Sequence, residues 1–408
     1  MKRVLLAMAA VLIASAVTSA GAGAATVTAK HVCTTGRVRC TAMVAVAPSG
    51  KLLSAVRPAA LPSGLTPAQL HRAYNMPTKA AAPAAVAVVD AFDYPPAYSD
   101  LTRYSTTFGL PVLPRCSKTV TAACFQKVNL GAAANSAVKQ QWDVEIALDI
   151  EAIHAVCQNC KIVLVEAKTL GVGSFVAAER RANELAGIVS NSWGISVDGG
   201  LGSASDSAFN HPGHAVVVSS GDDGYAPSYP ALLNTVVSVG GTTLHVKSDG
   251  TYQSERTWSG TGSGCATAKL GSVRTVAPLS YQRLAPGFSK AGCPAGIRGD
   301  NDIAAVADPN TGMAVYANRV SWIRVGGTSL AAPLVAAMYA LAGDVGTVKR
   351  PSQFLYAHLG TTAFRDVTTG SNQPWAGCDG VAARCTARPG YDLPTGVGTP
   401  NGLAGFRG

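Results

Sequence analysis

The sequence predicts an α/β domain built around a largely parallel, buried sheet, and three observations carry that prediction. First, short apolar runs without polar alternation recur at residues 85–90, 162–165, 188–190, 215–219 and 236–239, as expected of strands covered on both faces. Second, segments of helical character lie between several of them, notably 141–157 and 174–186; alternating strands and helices favour parallel pairing. Third, 48% of the 408 residues are hydrophobic and only 14% are charged. That composition suits one large globular domain or two ordinary ones and excludes a disordered chain.

In chain order, Lys2 and Arg3 precede an apolar run at 4–17, and Ala22-Gly23-Ala24 has the form of a signal-peptidase site. Residues 1–25 are therefore expected to be a signal peptide and the protein to be secreted and extracellular. No later stretch has the length and flanks of a membrane helix, so release rather than stable membrane association is expected. The ten cysteines fall into local pairs, Cys33 with Cys40, Cys116 with Cys124, Cys157 with Cys160, Cys265 with Cys293 and Cys378 with Cys385, which suits an oxidising destination. Cys157-Gln158-Asn159-Cys160 could alternatively be half a zinc site or a redox motif; no second CxxC completes four metal ligands. The net charge of +10 comes from scattered Lys and Arg with no dense run, so it is read as a surface term and no nucleic-acid partner is expected.

Residues 26–64 combine a small cysteine loop with Ala, Pro and Gly and read as a short N-terminal extension without a core of its own. The main domain, 65–408, opens on a helix at 65–75 with Thr66 as N-cap and Pro67 at its first position. The run at 85–90 ends in Asp90, at the strand end where sites in parallel sheets gather.

Three stretches carry candidate chemistry. On the helix 142–154, Glu145 and Asp149 are four residues apart, hence only about 40° apart around the axis. Neighbouring carboxyls gain nothing on a surface, whereas in a site they can share a proton; a solvated acidic face is the alternative, since Asp143 and Glu151 are also present. At 217–225 a buried strand breaks into Ser219-Ser220-Gly221-Asp222-Asp223-Gly224. Asp222 could donate a hydrogen bond to an oxyanion, or it could be an ordinary turn former. Finally, Gly326-Gly327-Thr328-Ser329 delivers a serine to the start of an apolar helix containing Pro333, where free N–H groups and the helix dipole favour developing negative charge. Ser329 there is either a nucleophile or, with Thr328, a cap.

Glu145 and Asp149 in E-x-x-x-D, then Ser219-Ser220-Gly221-Asp222, then Gly326-Gly327-Thr328-Ser329 with Pro333 occur in the order seen in the sedolisins, and from about Leu65 onward the chain resembles that family. The resemblance implies a subtilisin-like three-layer fold, with a largely parallel central sheet flanked by helices. It also implies an acid-active endopeptidase on protein or peptide substrates. Ser329 would be the nucleophile, Glu145 the general base, Asp149 its orienting partner, and Asp222 an oxyanion donor beside the Ser329 N–H. Ser192 and Gly194, in Ser190-Asn191-Ser192-Trp193-Gly194, would pair with substrate backbone. One structural calcium ion is implied on Asp366, Asp392 and the carbonyls of Val367, Arg388 and Gly390; the alternative is a Gly- and Asp-rich loop closed by cysteines. A monomer is expected.

Two departures matter. Sedolisins usually carry a long inhibitory prodomain, and residues 26–63 are far too short to be one. Asp90 also resembles the first member of an ordinary subtilisin triad, so Asp90, a histidine and Ser329 form a rival. That rival lacks an HGTH-like setting, and His154 lies nine residues beyond Glu145, about 180° around the helix. A catalytically silent secreted binding protein is a further alternative. An esterase lacks the G-x-S-x-G elbow.

Overall fold

The computed structural model describes residues 28–408 apart from 35, 50, 53–61, 197–202, 268–274 and 373–376; the expected signal peptide lies outside the described residues. In chain order the strands are β1 (Thr28–His31), β2 (Arg39–Cys40), β3 (Met43–Val46), β4 (Ala85–Ala91), β5 (Phe125–Asn129), β6 (Lys161–Ala167), β7 (Ile188–Asn191) and β8 (Trp193–Ser196). They continue with β9 (Ala215–Ser219), β10 (Ser228–Tyr229), β11 (Val237–Val246), β12 (Tyr252–Thr257), β13 (Ile303–Val306), β14 (Met313–Ala317) and β15 (Ser321–Gly326). The central sheet has the order β12-β11-β9-β7-β4-β6-β5, with β13 also paired to β11. All its ladders are parallel except β11 with β12. The five apolar runs of the sequence are β4, β6, β7, β9 and the start of β11. Their central strands are buried almost throughout because helices cover the sheet.

Three helices place the site. Asp143–Val156 and Val172–Leu185 lie in the two expected segments, and the first is buried along all of its length. Thr328–Ala342 is also buried at every position. It packs against Asp143–Val156 and onto β7, β9 and β11. The helix Pro67–Tyr74 starts as its sequence dictates: the Thr66 hydroxyl accepts from the Gln69 N–H (3.3 Å) and Gln69 Oε1 accepts from the Thr66 N–H (3.0 Å), the reciprocal cap of a Thr-x-x-Gln start.

All five local cysteine pairs are disulfides, Cys157–Cys160 included. The N-terminal segment joins other elements' sheets: β3 lies between β1 and β15 in the order β1-β3-β15-β14, and β2 pairs with β8. Replacing Leu148, fully buried within the acidic helix, with Ala should lower the unfolding free energy by about 2–5 kcal/mol. Denaturant unfolding followed by circular dichroism measures it, and a change under about 0.5 kcal/mol would show that this helix is not part of the core.

Candidate active site

The acidic helix sets the first half of the site. Glu145 and Asp149 project from it side by side, and Asp90, at the carboxyl end of β4, meets them: carboxylate oxygens of the three lie within 4.8 Å of one another. None has exposed surface. Ser192 donates to Asp149 Oδ1 (2.7 Å), whereas both oxygens of Asp90 and both of Glu145 are buried without a hydrogen bond of normal geometry. Burial, then the charge of Asp149 and of Asp90, pushes Glu145 well above the usual carboxyl range, and the nearby Ser329 hydroxyl opposes this. Asp149 is raised by burial and by Asp90, and Asp90 by burial and Glu166. Protonated carboxyls are the form such a pocket holds most easily. The other acids of the helix go elsewhere: Asp143 binds Arg319 (2.7 Å) and Glu151 accepts from the Tyr316 N–H (2.9 Å). His154 also faces away, bonded to Pro111 O (2.9 Å) and lowered by burial to about 4.

The turn Gly326-Gly327 sets the second half. Gly327 has φ +90, a region side chains avoid. An ideal Cβ there would lie 2.1 Å from Thr41 O and 2.6 Å from Asp222 Oδ2, so these two oxygens flank one small space. Ser329 follows in the first helical turn. Pro333 cannot donate to the carbonyl four residues back, and that carbonyl, Ser329 O, is reached instead by the Ser192 hydroxyl (3.3 Å). The Ser329 hydroxyl donates to Ser192 O (3.2 Å) and lies 2.9 Å from Thr41 Oγ1. Among the described residues no histidine bonds to it.

Asp222 lies one turn beyond β9. Its Oδ1 accepts from the Thr328 N–H (2.8 Å) and hydroxyl (2.9 Å), and its buried Oδ2 has no partner. Burial raises it to about 7 against the opposing Thr328 hydrogen bonds. Ser192 and Gly194 do offer a strand edge, and the chain's own N-terminal segment lies on it: the Thr41 N–H donates to Ser192 O (3.1 Å), and Arg39 pairs with Gly194. The Ser329 N–H donates to Thr41 O (3.0 Å).

Far from these groups in the sequence, residues 388–392 fold over Asp366. The Gly390 N–H donates to Asp366 Oδ2 and the Arg388 N–H to Asp392 Oδ2, both at 2.9 Å, while Asp392 Oδ1 accepts from Thr395. Burial brings Asp392 to about 7, with Asp366 adding repulsion; burial also raises Asp366. Val367 is buried in the same loop. Two participants were not placed by sequence reasoning. Asp90 stood only as part of a rival triad, and its strand-end position was the available signal. Thr41 had no signal, because its contacts are long-range strand pairing.

A family model described as the subtilase family matches residues 130–380. Kumamolisin from Bacillus sp. (strain MN-32) is 33% identical over 291 residues, which are 64% of this chain and 50% of that protein. Sedolisin from Pseudomonas sp. (strain 101) is 31% identical over 209 residues, 46% of this chain and 33% of that protein. The chain thus spans half or less of the length of these relatives. A solved structure of Pseudomonas sedolisin, a serine-carboxyl proteinase complexed with two molecules of pseudo-iodotyrostatin, superposes with a TM-score of 0.64 at 22% identity, over 84% of this chain and 96% of that one; it shows the common fold. The family match covers more than half of the chain, and the relatives it matches include kumamolisin and sedolisin: the chain belongs to the subtilase family, in its sedolisin branch.

Proposed function

We propose that this protein is a secreted, acid-acting serine-carboxyl endopeptidase that cuts extended protein or peptide chains. The observation that carries the reading is the position of Ser329, at the start of a buried helix between a dry carboxyl cluster and the half-satisfied carboxyl of Asp222. A substrate strand would lie along Ser192–Gly194 with its scissile carbonyl at the Ser329 N–H. Ser329 Oγ attacks that carbon and its proton passes to Glu145. Asp222, protonated, donates from Oδ2 to the oxyanion. The peptide C–N bond then breaks as Glu145 returns the proton to the leaving amine, and water hydrolyses the ester by the same steps in reverse roles. Asp149 and Asp90 share the cluster's remaining protons, so the first negative charge to form there is the base, and further ionisation is opposed by repulsion.

The pH dependence follows. Asp222 works only when protonated and stands at about 7, so activity should vanish as pH rises through about 7. On an unfolded protein substrate, cleavage should be confined to acid; Glu145→Gln should reduce it on the order of 10²–10⁴-fold, and Ser329→Ala should remove it. Activity that peaks above neutrality and survives Glu145→Gln would overturn the carboxyl mechanism in favour of a histidine-based one.

Stability should favour acid as well. Asp222, Glu166 and Asp392 stand at about 7 in the folded chain against 3.8, 4.5 and 3.8. The folded state therefore holds protons that the unfolded chain releases above about pH 4. By linkage these groups stabilise fully below that point and lose the contribution as pH rises through 7. With chelator present, Tm should be higher near pH 4 than at pH 8; the reverse order would contradict the buried, protonated state.

We also assign one structural calcium ion to Asp366, Asp392 and the carbonyls of Val367, Arg388 and Gly390. The support is the donor set: two carboxyls that repel each other across one loop, and, among the described residues, no hydrogen bond to Asp366 Oδ1. The ion would neutralise both and tie residues 366–367 to 388–392. A chelator at neutral pH should lower Tm by roughly 3–10 °C, and Asp366→Asn should abolish that response. An unchanged Tm with no calcium on elemental analysis would remove the assignment.

A further inference from the structure

The turn that carries Asp222 is gripped twice. Gly221 has φ +111, a region open to glycine and soft to rotation, so the direction in which it delivers Asp222 is set by its own hydrogen bonds. Its N–H donates to the Thr328 hydroxyl at 3.0 Å, and its carbonyl accepts from the Gly262 N–H at 2.6 Å. The first grip belongs to the helix of Ser329; the second belongs to a separate turn, residues 260–263. That turn also receives the Gly224 N–H on Gly260 O (2.9 Å) and the Ser220 hydroxyl on Gly262 O (3.0 Å). The two turns are packed backbone to backbone, since a Cβ at Gly262 would run into the Ser220 carbonyl.

Two buried asparagines hold the 260–263 turn from behind. Asn301 has no exposed surface; its Nδ2 shares two hydrogens among Gly262 O (2.8 Å), Leu393 O (2.9 Å) and Pro394 O (3.1 Å), and its Oδ1 accepts from the Ser238 hydroxyl (3.1 Å). Asn372, equally buried, donates from Nδ2 to Thr261 O (2.7 Å) and to Ser263 Oγ (2.8 Å), while its carbonyl accepts the Tyr225 N–H (3.0 Å). Leu393 and Pro394 follow Asp392 directly, so one amide joins the C-terminal loop to the turn that braces Asp222. A buried amide engaged at both ends adds little net stability. What it does is to specify one arrangement of the groups it joins.

We infer that Asn301 is a positioning residue for the oxyanion donor: its amide fixes the 260–263 turn and, through Gly262, the direction in which Gly221 delivers Asp222. This rests on the donor role proposed for Asp222. Asn301 touches neither substrate nor the reacting atoms; it keeps Asp222 Oδ2 aimed at the place where the oxyanion forms. Without its Nδ2, Gly262 O retains only the Ser220 and Thr261 hydroxyls, and the carbonyls of Leu393 and Pro394 lose their shared donor. An oxyanion donor works only when it stands about 2.7–3.1 Å from the developing charge, so a small drift of the turn removes most of its effect. The loss falls on the transition state and not on substrate binding, hence on kcat and not on KM.

The test measures kcat and KM on a peptide substrate in acid, in one calcium-containing buffer, for the full chain, Asn301→Leu, Asp222→Ala and the double variant. Leu355→Ala, at a fully buried position of the helix Ser352–Ala357, serves as a stability control. Asp222→Ala should lower kcat by roughly 10²–10³-fold, and Asn301→Leu by about 10–100-fold with KM changed less than about threefold. In the Asp222→Ala background, Asn301→Leu should cost less than about threefold more, because the group it acts through is gone. Leu355→Ala should keep its kcat at an equal or greater loss of Tm. If Asn301→Leu does not fold, Ser220→Ala removes the next bond of the same brace and carries the same comparison, with an expected kcat loss of about 3–10-fold. A normal kcat, a rise in KM alone, an equal kcat loss in Leu355→Ala, or a full additional loss on top of Asp222→Ala overturns this role and leaves the peptidase reading standing. Absence of Ser329-dependent cleavage by the unsubstituted chain overturns both.

Discussion

Three carboxyl groups packed together away from water and away from any cation are the constraint on which the rest of the structure depends. Among the described residues no ion pair reaches Asp90, Glu145 or Asp149, and each is raised by burial. An uncompensated charge in such a place costs several kcal/mol, so the pocket holds protons and tolerates at most one shared charge. Apolar side chains of the same helix surround them, with Ile146, Ile150 and Ile153 fully buried. Acid, which would charge a histidine, adds no charge to a cluster of this kind.

The serine side of the site is built by backbone rather than charge. Gly327 lets the chain turn where a side chain would strike Thr41 O, and Pro333 frees the Ser329 carbonyl for Ser192. Ser192 thus touches the Asp149 carboxyl and the helix bearing Ser329 at once. The acid pair and Ser329 are registered through one hydroxyl. A shift of either helix would be felt at that residue first.

These features divide sharply in how far the sequence discloses them. The i, i+4 spacing of Glu145 and Asp149, the glycines before Ser329 and the aspartate after β9 are local patterns, and each of these residues lies where its local pattern places it. The parallel strands were legible because burial on both faces makes them uniformly apolar, and the disulfides because every pair is close in sequence. The antiparallel edge β12 was not, since only Glu255 and Thr257 of its six residues are buried. Thr41 was still less visible: it is separated from Ser329 by 288 positions, and strand pairing leaves no mark in side-chain types. Asp90 stood in plain view at a strand end, but its neighbours come from a helix that sequence alone does not orient.

The same reasoning explains how a segment so short can hold the strand edge at 192–194. A strand-addition site recognises mainly N–H and C=O groups, which every peptide carries, so its selectivity between competing chains depends on concentration more than on sequence. A tethered segment competes at an effective concentration in the millimolar range, and here the tether is reinforced by β1–β3 pairing and the Cys33–Cys40 link. Weak backbone contacts therefore suffice to keep the segment in place.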